Sequence, residues 1–447
     1  MLTRKVGPEG IRRPRRVPRA WFALAALGSG GVPAAQEPVF PPGFEAVQLP
    51  GFYDVAVGFT FAPDGTIFLI EKPGRVRVHD GAQLQTAPVL DLADEVNGFG
   101  DRGLLGVALH PGFAPDGGPT SWIYLLYTVS PVAGHDPPFD ENDQYSFSRL
   151  TRYQLDTLGG DVLAAASSRQ VLLGSQLADG TVPDGIASLR DSHSNGSLHF
   201  ADDGSLLVAL GDGSFASFVD GGGNDAPGFE EFVHPTTGLR GPLPQDQDSG
   251  AFRSQDLRSL AGKILRLDPE TGWGYPSNPF FDGDPASHPS RVWALGLRNP
   301  FRMNLVPGTG AADPALGQPN AIFLGDVGWF GWEEIDVCLG GENFQWPCRV
   351  GPVANGPYQS YTAVSGPHGY PDCKSASPGV PTGPALAWNH DDPAQLFPAG
   401  IHVDSQGAPL AGFTGSCAIG GVHYAGGDYP AKYHLSLIHI SEPTRPY

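Results

Sequence analysis

The sequence predicts an all-β protein assembled from repeated hairpins, and three observations carry that prediction. Its 62 glycines and 45 prolines among 447 residues punctuate short strands, whereas long helices exclude them. β-Branched and aromatic runs bounded by Asp-Gly, Pro-Gly and Gly-Gly recur throughout, without sustained helical periodicity. One phrase also repeats: an apolar run, a turn built on Pro-Asp-Gly or Asp-Asp-Gly, and a second apolar run. A chain of this length exceeds the usual single core, so it forms several domains or one large closed all-β architecture. Repeated hairpins without a strict period point to the second, a β-propeller whose blades are separated by large insertions.

The elements follow in order. Arg4-Lys5, Arg12-Arg13 and Arg15-Arg16 precede the apolar stretch 21–27 and the small residues 32–36. That order of basic, apolar and small reads as a secretory signal over residues 1–36, too short to span a bilayer. Twin-arginine export and an upstream start codon are the other readings of this stretch. The hairpin phrase occupies residues 59–70 and 198–209, and in looser form 107–116 leading to 122–127. In each, Asp-Gly or an equivalent pair supplies a positive-φ turn. Weaker copies lie at 303–308 leading to 322–324, and at 401–407. Residues 74–79, 148–154 and 262–268 alternate polar and apolar, the pattern of half-exposed outer strands. The polar, glycine-rich stretches 131–145, 215–250 and 351–383 read as insertions forming functional rims or lids.

The chain ends Leu435-Ser-Leu-Ile-His-Ile-Ser-Glu-Pro-Thr-Arg445-Pro-Tyr, a string that reads as a translated sequencing adapter. Residues 37–434 are therefore expected to be a truncated propeller domain and 435–447 a non-native tail, a short genuine strand being the alternative.

Lys and Arg number 27 against 47 Asp and Glu, a net charge of −20. This excludes nucleic acid and anionic membranes as partners, because phosphate binding needs a basic face. The four cysteines lack Cys-x-x-Cys spacing, so in an exported chain they read as disulfides rather than metal ligands. Cys348 and Cys373 flank one loop, which leaves Cys338 for Cys417. The absence of Cys-x-x-Cys-His means that any cytochrome partner is a separate chain.

Chemistry concentrates in Asp191-Ser-His-Ser-Asn-Gly196 and Gly296-Leu-Arg-Asn-Pro300. These place one histidine, one arginine and several glycines at strand ends. An imidazole that takes a hydroxyl proton, a guanidinium that polarises a carbonyl and backbone oxygens that hold a cation suit oxidation of an alcohol by a quinone. With Gly100-Asp-Arg-Gly-Leu-Leu-Gly106, Gly211-Asp212, Gly262-Lys263, Ser277-Asn-Pro-Phe280, Trp332-Glu-Glu-Ile335 and Gly341-Glu-Asn-Phe-Gln-Trp-Pro347, they form an ordered set over residues 47–434. That set resembles the soluble quinoprotein glucose/sorbosone dehydrogenase family.

The resemblance implies a six-bladed β-propeller with pyrroloquinoline quinone (PQQ) over its central mouth, held by Ca²⁺. It makes His193 the base that accepts a sugar hydroxyl proton, and Arg298 and Asn299 contacts to the cofactor, with the guanidinium countering charge on the reduced quinone. It puts Asp101 at the cofactor edge, where an acid is tolerated if Ca²⁺ or Arg102 intervenes, and assigns the Gly328 and Trp329 carbonyls to the ion. Ser192 stands where sugar-oxidising relatives often have Asp, which implies different hydroxyl recognition, and Ser197 replaces a frequent Arg. The cations that relatives use for the quinone carboxylates come from late blades, so the truncated form is expected to bind cofactor weakly or be inactive.

Read from the residues alone, His193 also suits a hydrogen bond to a turn, Arg298 a tie between blades, and His199 a structural role. Glu333, Glu334 and Asp336 either bind an ion or face solvent. The expected activity is a periplasmic or extracellular PQQ-dependent dehydrogenase oxidising an aldose at its anomeric carbon and passing electrons to an external acceptor, with no transmembrane anchor in the mature chain. The alternatives are a Ca²⁺-dependent propeller lactonase and a non-catalytic carbohydrate- or protein-binding propeller.

Overall fold

The computed structural model describes residues 49–129, 145–223, 226–235, 238–361, 372–374, 377–398, 414–424 and 436–439. The expected signal (1–36), the hairpin copy at 401–407 and most of the 131–145 insertion lie outside them. The described residues belong to one compact unit, Val47–Tyr447, and are overwhelmingly strand and loop. The two α-helices, α1 (His288–Arg291) and α2 (Gly356–Gln359), are four residues each.

The first sheet is a meander of β1 (Ala56–Phe61), β2 (Ile67–Glu71), β3 (Arg75–His79) and β4 (Leu90–Asp91). The second contains β5 (Leu104–Leu109), β6 (Trp122–Val129) and β7 (Phe147–Leu158), with β8 (Asp161–Ala164), β9 (Gln170–Leu173) and β10 (Ile186–Ala187) all paired to β7. The third is built on β11 (Asn195–Phe200), β12 (Leu206–Leu210), β13 (Lys263–Leu267) and β14 (Val292–Leu295). The fourth begins with β15 (Pro300–Leu305), β16 (Ile322–Asp326) and β17 (Trp332–Cys338).

Beyond β17 the chain returns to the third sheet. There β18 (Glu342–Asn343) pairs parallel with β14. After a short hairpin of β19 (Arg349–Val350) and β20 (Val353–Ala354), β21 (Val380–Pro381) pairs parallel with β18. β22 (Leu386–Asn389) and β23 (Leu396–Phe397) then complete the fourth sheet. Finally β24 (Gly421–Tyr424) pairs antiparallel with β25 (Ser436–His439), which falls within the stretch expected to be an adapter-derived tail.

All four hairpin phrases in the described residues form antiparallel pairs. In the first, Gly65 sits at φ 89° and the Asp64 carboxylate accepts the Thr66 N–H at 2.9 Å. In the third sheet Gly204 sits at φ 79° and Asp203 accepts the Ser205 N–H at 2.9 Å. Asp-Gly therefore turns the chain by two means at once, a left-handed glycine and a local carboxylate cap. The first strands of successive sheets pack side by side, β1 on β5, β5 on β11, β11 on β15 and β15 on β24. One large apolar core fills the space between the first three sheets, and a second lies between the third and fourth.

Two expectations about exposure are corrected. β13 is buried along its whole length and β7 through Tyr153, although both alternate polar and apolar residues. The cationic positions are not a solvated face, because each has an internal partner. Arg266 donates to Asp203 at 2.6 Å and to Ser277 and Asn278 at 2.9 Å, which absorbs the Ser-Asn-Pro-Phe motif into the fold. Lys263 donates to the carbonyls of Arg253, Ser254 and Ala261 at 2.7, 3.0 and 2.8 Å. Arg149 donates to Glu95 at 2.5 Å and to the Gly174 carbonyl at 2.8 Å. Paired cations of this kind read like surface residues in sequence while sitting between sheets.

Cys348 and Cys373 form a disulfide. The second expected pairing is not made: Cys338 and Cys417 remain thiols, and Cys338 instead donates to Glu342 across 3.4 Å. Its position on β17 faces the apolar core between the third and fourth sheets.

His199 has the structural setting expected of it. Burial, with the Arg302 charge nearby, holds its imidazole at about 4, against about 6.5 in an unfolded chain. Between those values the unfolded chain binds the extra proton, so stability is full above about pH 6.5 and falls as pH drops toward 4. His199→Gln is expected to flatten that dependence by up to about 3 kcal/mol, read as the difference between urea midpoints at pH 7 and pH 4.5.

Candidate functional site

The register of the β11–β12 hairpin creates the centre of the site. Asn195 is paired with Leu210, so the same register carried two residues beyond the strands sets His193 opposite Asp212. His193 Nδ1 lies 2.8 Å from Asp212 Oδ1. His193 is 2% exposed and sits at φ +52°, a left-handed conformation that costs a non-glycine residue about 1–3 kcal/mol and persists only where its surroundings enforce it. The enforcing contacts are its N–H donated to Asp101 Oδ2 at 3.2 Å and its carbonyl accepting the Gly213 N–H at 3.0 Å. Gly211 is needed for the same approach, since a Cβ there would lie 2.2 Å from the His193 carbonyl oxygen.

Asp212 is fully buried and its carboxylate is saturated. Oδ1 also accepts the Ser214 N–H at 2.9 Å, and Oδ2 accepts the Ser214 hydroxyl at 2.8 Å and the Trp346 indole N–H at 2.6 Å. Burial pushes its pKa up, but the charge and hydrogen bond of His193, with Arg298 nearby, more than offset this and leave it below the ordinary value. An ionised carboxylate on Nδ1 orients the ring, stabilises its protonated form and leaves Nε2 on the opposite side to take a proton.

Arg298 comes to the same place from the β14–β15 connection. Its carbonyl accepts the Asp212 N–H at 2.9 Å, and its guanidinium lies over the Trp346 ring, 5.4 Å from the centroid. Nη1 donates to the carbonyls of Val327 at 2.9 Å and Gly328 at 2.7 Å. Nε is buried without a hydrogen-bond partner, a donor left over in an otherwise satisfied site. Asn299 is nearly buried and donates its N–H to Asp326 Oδ1 at 2.6 Å. Asp326 also accepts the Arg298 N–H at 2.9 Å. Burial pushes Asp326 up to about 7 against these backbone donors.

Gly328 must be glycine, because a Cβ would lie 1.7 Å from the Trp332 carbonyl oxygen. Trp329 is buried, donates to the Ala216 carbonyl at 2.9 Å and packs against Trp346 and Tyr358. His193, Arg298, Asn299, Gly328 and Trp329 thus meet through one network centred on Asp212 and Trp346, with Asp101 at its edge. Arg102, beside Asp101 in sequence, is fully buried and donates to the carbonyls of Ser188 and Arg190. The nearby cation is Lys72, which donates to the Gly100 carbonyl and is coupled electrostatically to Asp101.

Glu333, Glu334 and Asp336 do not face solvent; all three are buried. Glu334 and Asp336 share one face of β17 with Asp326 on the paired strand, and burial pushes Glu334 up to about 8 and Asp336 well above its usual range. Among the described residues, no three His, Cys, Asp or Glu side chains converge as a metal site. The two sequence departures have structural uses: Ser192 donates to the Ser214 carbonyl at 2.8 Å, and Ser197 accepts the Met303 N–H at 3.0 Å, tying β11 to β15.

Sequence reasoning quoted Gly211-Asp212 and the Trp346 segment without giving either a role. The available signal was positional, an acid two residues past the end of an apolar strand whose hairpin partner begins two residues after a histidine. Trp346 gave no such signal, since its partner lies 134 residues away.

A family model described as Glucose / Sorbosone dehydrogenase matches residues 53–220 and 233–390. The HIPL1 protein of Arabidopsis thaliana is 25% identical over 336 residues, 69% of this chain and 40% of that protein. The Hedgehog-interacting protein of Homo sapiens is 25% identical over 262 residues, 55% of this chain and 29% of that protein. The chain therefore spans less than half the length of these relatives. Among solved structures, the PQQ-bound aldose sugar dehydrogenase of Streptomyces coelicolor is 18% identical with a TM-score of 0.44, covering 76% of this chain and 75% of that one.

Proposed function

Because the chain belongs to the glucose/sorbosone dehydrogenase family, we propose that it is an exported quinoprotein sugar dehydrogenase, oxidising an aldose at its anomeric C–OH with PQQ and Ca²⁺. The observation that carries this reading is the buried His193–Asp212 pair beside Arg298. His193 Nε2 accepts the hydroxyl proton, and Asp212 stabilises the resulting imidazolium through Nδ1. Loss of a proton and a hydride from one carbinol leaves a carbonyl, and PQQ, when bound, supplies the two-electron acceptor for the hydride.

The residues fit such a group. The unpartnered Arg298 Nε offers a donor to an anionic, carbonyl-rich ligand, Asn299 adjoins it, and Lys72 offsets Asp101 at the edge. The Val327 and Gly328 carbonyls already point to a positive charge, the Arg298 guanidinium. A carbonyl oxygen keeps a second lone pair, so those of Gly328 and Trp329 would serve a hard cation. Arg298 would hold negative charge developing on the cofactor.

The finer fold reading is a six-bladed propeller over residues 37–434, with 1–36 a signal and 435–447 a foreign tail. It is supported by the side-by-side order of the first strands. A sheet closing against β1 would also cover Phe59 and Phe61, which are 63% and 59% exposed. Export to the periplasm or exterior agrees with the disulfide. No helix among the described residues is long and apolar enough to cross a membrane.

The test uses the chain freed of residues 1–36 and 435–447, with the missing blades restored from the source DNA, titrated with PQQ and Ca²⁺ while dye reduction by a panel of aldoses is followed. Sugar-dependent reduction that needs both additions is expected. The second reading, a binding propeller without turnover, is favoured by the Hedgehog-interacting relative; tight cofactor binding with no reduction by any sugar would install it instead.

A further inference from the structure

Glu333 and His390 touch none of the groups given a chemical role above except one backbone amide, yet they hold the loop from Val327 to Gly331 from behind. Glu333 is fully buried in β17. Its Oε2 accepts the Gly328 N–H at 3.0 Å and the Ala418 N–H at 2.8 Å, and its Oε1 lies 2.8 Å from His390 Nε2. His390, just past β22, closes the other end of the loop. Its Nδ1 accepts the Gly331 N–H at 3.3 Å, and its own N–H donates to the Gly331 carbonyl at 3.0 Å. With Nδ1 accepting, the hydrogen-bond network assigns the ring proton to Nε2, where it is donated to Glu333.

The consequence follows from peptide planarity. In a trans peptide the N–H of one residue and the C=O of the residue before it point in opposite directions. Pinning the Gly328 N–H onto Glu333 therefore turns the Val327 carbonyl the other way, where it accepts from Arg298 at 2.9 Å. The loop contains glycine at both pinned positions, and glycine restrains the backbone least of all residues. Within the loop Val327 and Trp329 are held by the Asn299 and Ala216 carbonyls, and the two glycines are held by Glu333 and His390.

We propose that Glu333 and His390 are positioning residues, a two-ended clamp that fixes the Val327–Gly331 loop and turns the Val327 carbonyl toward the Arg298 guanidinium. Arg298 is the first beneficiary; extension to a bound cation rests on the role proposed for Gly328 and Trp329.

Three variants of the full chain test this without cofactor: His390→Ala, His390→Asn, whose side-chain oxygen falls near the position of Nδ1, and Glu333→Gln. Amide hydrogen exchange is read at Gly328 and Gly331, with the melting temperature and Ca²⁺ affinity measured alongside. His390→Ala is expected to speed exchange at Gly331 by about 2- to 10-fold, the worth of one hydrogen bond, and to weaken Ca²⁺ binding, while the strands keep their protection. His390→Asn is expected to restore Gly331 protection, and Glu333→Gln to loosen Gly328. Wild-type exchange at Gly331 in His390→Ala would overturn the clamp, as would a uniform loss of protection across all sheets. Faster loop exchange in a protein whose wild type binds no Ca²⁺ would uphold the clamp and defeat the cation reading instead.

Discussion

His193→Ala is expected to lower turnover of the reconstituted protein by about 10²–10⁴-fold, the usual contribution of a positioned general base, with little change in cofactor binding. Among the described residues the ring's hydrogen bonds go to Asp212 and Ser214, and the variant should fold. Asp212→Asn should lose turnover as well, because a carboxamide can present a donor to Nδ1 and no longer stabilises the imidazolium. Its loss should also be pH-dependent in a defined sense. Asp212 is held below its ordinary pKa in the folded chain, so the stability it adds is present above the unfolded value near 4 and disappears as pH falls through the folded one. Turnover followed from pH 5 to 9, beside urea midpoints from about pH 7 down to about pH 2, where the Asp212 contribution is lost, separates the two effects. Undiminished turnover in His193→Ala would remove the imidazole from the mechanism.

The second large effect is expected at Arg298. Removing a donor that opposes charge developing in the transition state costs about 10²–10³-fold in turnover. Arg298→Ala should also weaken the fold, because Asp212, Glu333 and Asp326 lose the cation whose field they share. Leaving buried carboxylates without a nearby cation is destabilising. Arg298→Lys keeps the charge and one nitrogen for the Val327 and Gly328 carbonyls, both of which accept from Nη1, but lacks Nε and the planar face over Trp346, so it should recover part of the stability and little of the turnover. Activity assays combined with denaturant titration of both variants decide the point. Equal recovery of stability and turnover by lysine would mean that charge alone matters there.

The sequence made the hairpins legible because each uses only local information: an apolar run, an Asp-Gly turn and another apolar run. His193, Arg298 and Asn299 stood out because they lie next to glycines at the ends of such runs, and the structure brings them together. The burial of β7 and β13 was hidden, since a buried arginine with an internal carboxylate reads in one dimension like an arginine in water. Asp203 and Arg266, 63 residues apart, show why. The same distance problem concealed Asp212's bond to Trp346 and the grip of His390 on Gly331. Cys338 was misread for the opposite reason. An odd-looking leftover cysteine invited a partner, whereas its place on β17 among Leu324, Trp293 and Phe344 makes it a small apolar filler.

The parallel addition of β18 and β21 to the third sheet sets an order of assembly. During synthesis, β11 to β14 emerge first, followed by three strands of the next sheet, and only then do the last two members of the earlier one arrive. The third sheet therefore cannot finish until the fourth has begun, and β22 and β23 finish the fourth afterwards. Two neighbouring sheets laced in this alternating sequence add distant pairings to their antiparallel ones, which slows folding relative to a row of independent meanders. A nascent chain released before Val380 would leave both sheets unfinished at once.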